Sequence, residues 1–442
     1  MKLNKSEIDL MLKYHSPGSR YSYFPSVSYW QNSVSQDGLI SHLQKSYDPK
    51  QGIDLYIHIP FCESLCTFCG CNIKITKNHK EGISYVDSLE KEWQFFKKNI
   101  TERGPKISSV YLGGGTPTFL SEKSLSKLFS FLFPEGPQEL KEGTVEIDPR
   151  FVTIEKLKLF KKYGIKRISI GVQDLDIDVL ENVNRKQSKE KLENVVELAK
   201  SLDFDEIAFD LIYGLPFQSI SSLEKTFKYL LDLSPDLIAF YSLANVPWQK
   251  KGQKAFGNFS PPSIEDKFAL YLKGKQLLES KNYYHPGMGF FIKPESRLGK
   301  AFKEKSLKRN MMGVYSNKSN FLLGLGVSAM SQVNDVYFQN ERILEKYLFE
   351  IDKKNFAVWR NHKQSKKEST TQNIYENLIA GEYCKIPSYL VEELPSFKHW
   401  FQSFQKDEIL QGTLNSFKVT QKGKDYLKNI YQTLDLHKDS YL

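Results

Sequence analysis

Long apolar runs are absent from this 442-residue sequence. Its longest apolar stretches, at 237–244 and 321–330, are short and broken by Ser, Gly or Asn, whereas a membrane-spanning helix needs about 20 apolar residues. The first residues are polar and lack the apolar segment of a secretory signal. We therefore expect a cytoplasmic protein with no membrane partner.

Cysteine is also scarce, with five residues in the whole chain. A disulfide framework would scatter pairs of cysteines along a short secreted chain. Here four of the five lie within ten positions, which excludes such a framework and points to a local site. The four clustered residues are Cys62, Cys66, Cys69 and Cys71.

Charge and composition place few limits on function. Hydrophobic residues make up 40% and charged residues 26% of the chain, which is ordinary for a soluble globular protein and excludes a disordered or fibrous one. The net charge of +10 favours an acidic partner, which could be nucleic acid, a membrane surface or a polyanionic small molecule.

A repeated strand–loop–helix rhythm begins near residue 53. Its strands are short apolar runs without clean alternation, which is typical of parallel strands buried on both faces. Six such units predict an α/β fold, and we interpret them as a partial (β/α)6 barrel. The predicted strands are 53–60, 107–112, 144–147, 167–170, 206–212 and 237–243.

The flanks of this barrel differ from it in composition. Residues 1–50 form an N-terminal extension with a Pro-, Gly- and aromatic-rich segment, and a Lys-rich stretch from about 354 marks a second boundary. We predict a catalytic barrel with its following segment at 51–353. Residues 354–442 are predicted to form a small, mostly helical, winged-helix-like C-terminal domain.

Unusual residues follow five of the six strands. In folds of this kind the chemistry lies at the carboxyl ends of the strands, so these residues are expected to meet at one rim. They are the cysteines, Gly113–Thr116, Glu146 with Asp148, Gly171–Gln173, and Asp210 with 213–216.

The Cys62-x3-Cys66-x2-Cys69 spacing in a loop after a strand favours an iron–sulfur cluster. Three thiolates can hold three irons of a four-iron cluster and leave the fourth open. A structural zinc site would need further ligands, but Cys384 is isolated and His79 has no partner at finger spacing. A redox Cys-x-x-Cys motif needs only two cysteines.

The glycine run Gly113–Gly115 permits close backbone approach. It lacks the Gly-Lys-Ser/Thr ending of a phosphate loop, and a tight strand–helix turn is the structural alternative. For Glu146, chemistry alone favours a solvated carboxylate or a helix cap, and a lone His such as His58 is usually structural.

These motifs together resemble those of radical S-adenosylmethionine enzymes and, within them, the family of oxygen-independent coproporphyrinogen III oxidases. The resemblance extends over nearly the whole chain and keeps the family's order of motifs. Cys71, one residue beyond Cys69, favours this oxidase branch over the related haem chaperones. The matching segments are 18–25, 56–72, 113–117, 146–150, 171–174, 184–185, 210–216, 323–329 and 419–423.

The resemblance implies a role for each of these loops. Cys62, Cys66 and Cys69 would ligate a [4Fe–4S] cluster with S-adenosylmethionine on its unique iron, and a second adenosylmethionine is conceivable. The protein would orient these cofactors, which carry the difficult chemistry. Tyr56, His58 and Glu146 would be catalytic. The residues implied to bind adenosylmethionine are Tyr56, Gly113, Gly114, Gly115, Thr116, Glu146, Gln173, Arg185 and Asp210, with Arg185 facing its carboxylate.

The implied reaction is the oxidative decarboxylation of two propionates of coproporphyrinogen III, giving protoporphyrinogen IX in haem biosynthesis. The implied partners are this tetrapyrrole and a reductant such as flavodoxin or ferredoxin, with no nucleic acid, and we expect a monomer. Arg20 and Tyr21 would help the N-terminal extension close over the site, although a packed loop explains them equally well.

The sequence departs from the family's pattern at five positions. Gly289 and Phe290 stand where the family has Asp and His, Met311 and Met312 replace Phe and Gln, and Met330 replaces an Ile. They leave open a paralogue with another substrate, acting by methyl transfer or tetrapyrrole ring opening. A non-enzymatic haem chaperone is the third hypothesis.

Overall fold

The structure is a computed structural model that describes residues 5–15, 24–244, 253, 261–310, 312–316, 319–354, 356–381 and 383–437. Arg20, Tyr21 and Met311 lie outside these ranges. In the described part, no helix is both long and apolar enough to cross a membrane.

Nineteen strands are present in the described ranges. In chain order they are β1 (Ile53–Ile59), β2 (Phe61–Cys62), β3 (Lys74–Ile75), β4 (Ile107–Gly114), β5 (Glu142–Ile147), β6 (Arg167–Gln173), β7 (Glu206–Tyr213), β8 (Leu237–Ser242), β9 (Tyr284–Gly287), β10 (Phe290–Ile292), β11 (Lys308–Asn310), β12 (Gly313–Tyr315), β13 (Phe321–Leu325), β14 (Met330–Val333), β15 (Val336–Asn340), β16 (Val358–Lys363), β17 (Cys384–Lys385), β18 (Leu410–Thr413) and β19 (Ser416–Val419).

The α-helices lie mainly between these strands. They are α1 (Lys5–Tyr14), α2 (Gln36–Ser46), α3 (Lys80–Ile100), α4 (Glu122–Leu132), α5 (Ile154–Lys162), α6 (Ile177–Asn182), α7 (Lys189–Ser201), α8 (Ile220–Asp232), α9 (Ile264–Glu279), α10 (Arg297–Lys303), α11 (Leu344–Lys354), α12 (Lys366–Ala380), α13 (Ser388–Val391), α14 (Pro395–Lys406) and α15 (Leu427–Thr433).

The six predicted strands form the parallel centre of the sheet, in the order β1-β4-β5-β6-β7-β8. Most of their residues are buried, as expected of strands covered on both faces. Their helices begin at side-chain caps: Ser121, Thr153 and Ser219 each accept a hydrogen bond from a backbone N–H of the first turn. The predicted α/β partial barrel is confirmed.

The sheet continues beyond these six strands on both sides. The buried strand β13 runs parallel to β1, and β14, β15 and β16 extend that edge antiparallel. At the other edge β10 and β9 follow β8, which gives one twelve-stranded sheet. β16 belongs to this sheet, so the boundary predicted at 354 falls just before one of its strands.

The C-terminal part of the chain forms a smaller unit. β17, β19 and β18 form an antiparallel sheet beside the helices α12 to α15. The N-terminal helix α1 is attached to this unit because Tyr14 stacks on Phe404, with ring centroids 5.1 Å apart, and donates a hydrogen bond of 2.6 Å to Asp407. The N-terminal helix and the C-terminal unit, which are far apart in sequence, are therefore in contact.

Candidate active site

The cysteine loop leaves the carboxyl end of β1 and is held at several points. β2 and β3 pair in parallel, and the backbone N–H of Thr67 donates to the carbonyl of Val183 at 3.1 Å. Cys62 Sγ lies 3.4 Å from the hydroxyl oxygen of Thr116, in the loop after β4. The loop thus presents its thiols towards the ends of neighbouring strands.

The thiols of Cys62, Cys66 and Cys69 are close enough to interact electrostatically. Burial, opposed by the Thr116 hydrogen bond and reinforced by the other two cysteines, raises the pKa of Cys62 to about 11. The Cys62 thiol therefore becomes a thiolate most readily when it binds a metal centre. Cys71 is exposed, and Cys384 is buried elsewhere, with its thiol 3.6 Å from the carbonyl of Ile374.

The donor set suits a cluster better than a single ion. Among the residues the structure describes, no three His, Cys, Asp or Glu side chains surround one ion position. In a four-iron cluster each thiolate binds a different iron, so the sulfurs stay apart. Three thiolates from one loop would bind three irons and leave the fourth open for another group.

Two arginines flank Cys66, of which the resemblance assigns a role to Arg185 alone. Arg185 Nη1 lies 3.7 Å from Cys66 Sγ and 3.4 Å from Asp148 Oδ2. Arg150 donates three side-chain hydrogen bonds to the same Asp148, of 2.9, 3.2 and 2.7 Å, and it also donates to Cys66. The two guanidinium groups hold the pKa of Asp148 below its usual range against the effect of burial.

Asp148, which the sequence already places at this rim, and Arg150 therefore belong to the candidate site. The signal that could have identified Arg150 is its place just after β5, four residues beyond Glu146. Arg185 also donates to the carbonyl of Gly171. Its guanidinium is thus engaged by protein groups at the place where the resemblance puts a ligand carboxylate.

Tyr56 and His58 lie on the same face of β1 and form a chain of hydrogen bonds. The Tyr56 hydroxyl is 2.9 Å from His58 Nδ1, and His58 Nε2 is 2.8 Å from the carbonyl oxygen of Asn72. Since a carbonyl only accepts, Nε2 carries the proton and Nδ1 accepts from Tyr56. Burial lowers the pKa of His58 to about 4, so the ring is neutral near pH 7.

The glycines after β4 make room for site residues. A Cβ on Gly113 would lie 2.9 Å from the Glu146 carboxylate, and one on Gly114 would lie 2.6 Å from the His58 ring. Gly114 also has a φ of +112°, which favours glycine. A Cβ on Gly115 would lie 2.8 Å from the carbonyl oxygen of Phe61. The glycine backbone is thus approached closely by groups of the protein itself, namely Glu146, His58 and the carbonyl of Phe61.

Two partly buried acids, Glu146 on β5 and Asp210 on β7, are close enough to interact electrostatically. Glu146 accepts hydrogen bonds from the Tyr111 hydroxyl at 2.8 Å and from the Gly114 N–H at 3.0 Å, so it is held by the protein and is not a helix cap. Burial raises its pKa. Burial, together with the Glu146 charge, raises the pKa of Asp210 to about 7 while Ser169 donates to it at 3.2 Å. A cationic ligand would suit this acidic part of the rim.

Gln173 completes the set at the end of β6. It takes a φ of +69°, and its amide nitrogen lies 3.0 Å from the Cβ position of Gly171. The structure thus brings the predicted residues of five strand ends to one rim. They are Tyr56, His58, Gly113, Gly114, Gly115, Thr116, Glu146, Gln173, Arg185 and Asp210, beside Cys62, Cys66 and Cys69.

The divergent positions lie on other elements. Gly289, with a φ of +81°, forms the turn between β9 and β10, and a Cβ there would lie 2.7 Å from the carbonyl oxygen of Phe240. Phe290 pairs with Ala239 of β8. Met312 lies in the turn between β11 and β12, where its N–H donates to Asn310 at 2.9 Å, and Met330 begins β14.

The fold and this rim define a radical S-adenosylmethionine enzyme, an oxidoreductase that uses a [4Fe–4S] cluster and adenosylmethionine. The model of the radical SAM superfamily matches residues 56–230. The oxygen-independent coproporphyrinogen III oxidase of Helicobacter pylori (strain 26695) is 30% identical, covering 96% of this chain and 95% of that protein. The chain belongs to the family of oxygen-independent coproporphyrinogen III oxidases.

Two further relatives agree with this assignment. The Escherichia coli K12 protein of the same name is 29% identical over 98% of this chain and 95% of its own length. A solved structure of coproporphyrinogen III oxidase from Escherichia coli, described as a radical SAM enzyme, superposes with a TM-score of 0.87. It is 27% identical and covers 98% of both chains.

Proposed function

We propose that the chain catalyses the oxygen-independent oxidative decarboxylation of coproporphyrinogen III to protoporphyrinogen IX. Each of two propionates loses a hydrogen from its β-carbon and then carbon dioxide, leaving a vinyl group. Two electrons depart per propionate, one with the hydrogen atom and one to an acceptor. The observation that carries the proposal is the trio of thiols facing the rim in a chain that matches these oxidases over nearly its full length.

In this proposal Cys62, Cys66 and Cys69 hold the cluster. When bound, the cluster and adenosylmethionine supply the agent that abstracts hydrogen. Gly113 to Thr116, Gln173, Arg185 and Asp210 would line the adenosylmethionine site with Tyr56 and Glu146.

The chain's own residues would orient these groups rather than perform proton chemistry. Neutral His58 fixes the end of the cysteine loop through Asn72. The acids Glu146 and Asp210 lie on the rim where the sulfonium cation would bind, and opposite charges attract strongly in a site shielded from water. Tyr56 and Glu146 are proposed to contact the reacting cofactor.

The finer partners are part of the same proposal. We infer an electron donor of the flavodoxin or ferredoxin class, a monomeric enzyme and a cytoplasmic location. Room for a second adenosylmethionine would lie towards Met312 and Met330, where the resembled family has other residues.

The test is anaerobic reconstitution with iron and sulfide, followed by incubation with dithionite, adenosylmethionine and coproporphyrinogen III. We expect protoporphyrin after oxidation of the product, together with 5′-deoxyadenosine, and neither product from a Cys62→Ser control. 5′-Deoxyadenosine without protoporphyrin would overturn the substrate and favour the paralogue suggested by Gly289 and Phe290. Stoichiometric haem binding with no adenosylmethionine turnover would favour the chaperone.

A further inference from the structure

Three basic side chains meet beside the ends of β7 and β8. Lys267, on the first turn of α9, donates to the carbonyl oxygen of Leu243 at 2.9 Å. Its methylenes cover Gly214, since a Cβ there would lie 2.7 Å from them. Gly214 directly follows β7 and Leu243 directly follows β8. Lys267 therefore lies at the carboxyl ends of these strands, on the same rim as Asp210.

The other two basic groups come from opposite ends of the chain. His15 follows α1, and its ring centroid lies 5.6 Å from that of Phe268, the neighbour of Lys267. Lys428 is on α15, where the adjacent Asn429 donates to the carbonyl oxygen of Tyr14. The ring of His15 is thus placed next to Lys267 by its contact with Phe268. Lys428 is placed there by the hydrogen bond of its neighbour Asn429 to α1.

Within the described ranges, neither Lys267 nor Lys428 has a carboxylate at ion-pair distance, and no hydrogen bond of the Lys428 ammonium is present. Both lysines are half-buried. Burial, followed by the charge of Lys428, lowers the pKa of Lys267 to about 8, and burial lowers the pKa of Lys428.

Grouping partly desolvated cations without acids is unfavourable for folding. Two other lysines of α9 that are also partly buried each have an acid: Lys273 lies beside Glu224 and Lys275 beside Asp425. A cluster of like charges that is costly to the empty protein is typical of a binding site, because function often opposes stability.

We propose that Lys267 and Lys428, assisted by His15, bind a propionate carboxylate of the tetrapyrrole at the β7–β8 end of the rim. This inference rests on the proposed function. The cysteine loop lies after β1, four strands before β7 in the sheet order. A propionate carboxylate held at β7–β8 would therefore anchor the substrate on the side of the rim away from the cluster. Another propionate of the same substrate could then point towards the cluster.

The test compares Lys267→Met and Lys428→Met, which keep the length and apolar part of the side chain, with Lys267→Arg and Lys428→Arg, which keep the charge. Lys281→Met is the matched control, because Lys281 is an exposed lysine just after α9. The measurements are KM and kcat for coproporphyrinogen III, Kd for coproporphyrin III by fluorescence titration, and the thermal unfolding midpoint.

We expect each Met variant to raise KM and Kd about tenfold or more, the usual scale for one charged hydrogen bond. The Arg variants should retain most of the affinity, and Lys281→Met should match the wild type. Lys428→Met should unfold at the same or a higher temperature, since it relieves repulsion without losing a hydrogen bond.

Unchanged KM and Kd in both Met variants of an active enzyme would overturn the carboxylate site while the proposed function stood. A lower unfolding midpoint for Lys428→Met with unchanged KM would also overturn it, by assigning the lysine a structural role. A wild type that forms 5′-deoxyadenosine but converts no coproporphyrinogen III would overturn both proposals together.

Discussion

The Tyr56 hydroxyl lies 2.9 Å from His58 Nδ1 and donates to it. The direction follows from the other ring nitrogen, because Nε2 must donate to the carbonyl oxygen of Asn72, directly after the cysteine loop. Tyr85 of α3 donates to the backbone carbonyl of the same histidine at 2.8 Å. His58 therefore connects β1, α3 and the cysteine loop through hydrogen bonds. Its buried, neutral ring is suited to positioning the loop and not to proton transfer.

Replacing His58 should weaken the attachment of the cysteine loop to β1. We expect His58→Phe to lower the free energy of unfolding by about 1–3 kcal/mol, because the Asn72 carbonyl and the Tyr56 hydroxyl lose their partner. Reconstituted protein should also lose iron faster to a chelator. Urea unfolding and chelation kinetics measure the two effects, with His399→Phe, at an exposed position of α14, as the control. Unchanged iron release would contradict the positioning role.

Three of the five cysteines should be ligands of the cluster, and the other two should not. Cys62→Ser, Cys66→Ser and Cys69→Ser are each expected to abolish the electron paramagnetic resonance signal of the reduced cluster and most of the bound iron, since each removes one iron's thiolate. Cys384→Ser and Cys71→Ser should keep both. Iron and sulfide analysis after anaerobic reconstitution checks this, and cluster loss in Cys71→Ser would show that the exposed cysteine is a ligand.

Arg150 should tune the cluster through Cys66. Hydrogen bonds to cluster sulfurs and nearby positive charge stabilise the reduced, more negative state. Arg150→Gln is therefore expected to lower the reduction potential, and Arg150→Lys should shift it less because the charge remains. A redox titration followed by electron paramagnetic resonance measures the potential. A potential unchanged in Arg150→Gln would contradict the contact with Cys66.

A buried acid on α3 should make stability depend on pH. Glu92 accepts hydrogen bonds from Tyr347, Asn340 and the Gly326 N–H at 2.6–2.7 Å, yet burial raises its pKa to about 7. Between the unfolded value near 4.5 and this folded value, the native state binds more protons. The contribution of Glu92 to stability is therefore greatest below pH 4.5 and declines as the pH rises to 7.

Glu92→Gln should remove that decline. We expect the difference in unfolding free energy between the wild type and this variant to change by up to about 3 kcal/mol between pH 4.5 and 7, since one pKa unit corresponds to about 1.4 kcal/mol. Urea unfolding at several pH values measures the difference, in which the effects of His58 and other groups cancel. A difference independent of pH would contradict the raised pKa.

Local pattern was enough for the centre of the fold and for most of the site. The six parallel strands and their helices follow from short apolar runs alternating with amphipathic segments, because burial on both faces leaves that signature in neighbouring residues. The cysteine spacing carried the iron–sulfur chemistry for the same reason, since its ligands come from one loop. Strand-end position also identified Asp210, and the resemblance added its role towards adenosylmethionine together with Arg185.

Tertiary structure decided what depends on pairing between distant segments. The placement of β13 beside β1, and of β16 in the main sheet, rests on register between strands that no local period encodes. Arg150 and Arg185 meet at Cys66 only because β5, the segment after β6 and the cysteine loop end at one rim. His15, Lys267 and Lys428 likewise become one basic cluster only when α1, α9 and α15 pack together, because electrostatic interaction depends on distance in space and not on separation along the chain.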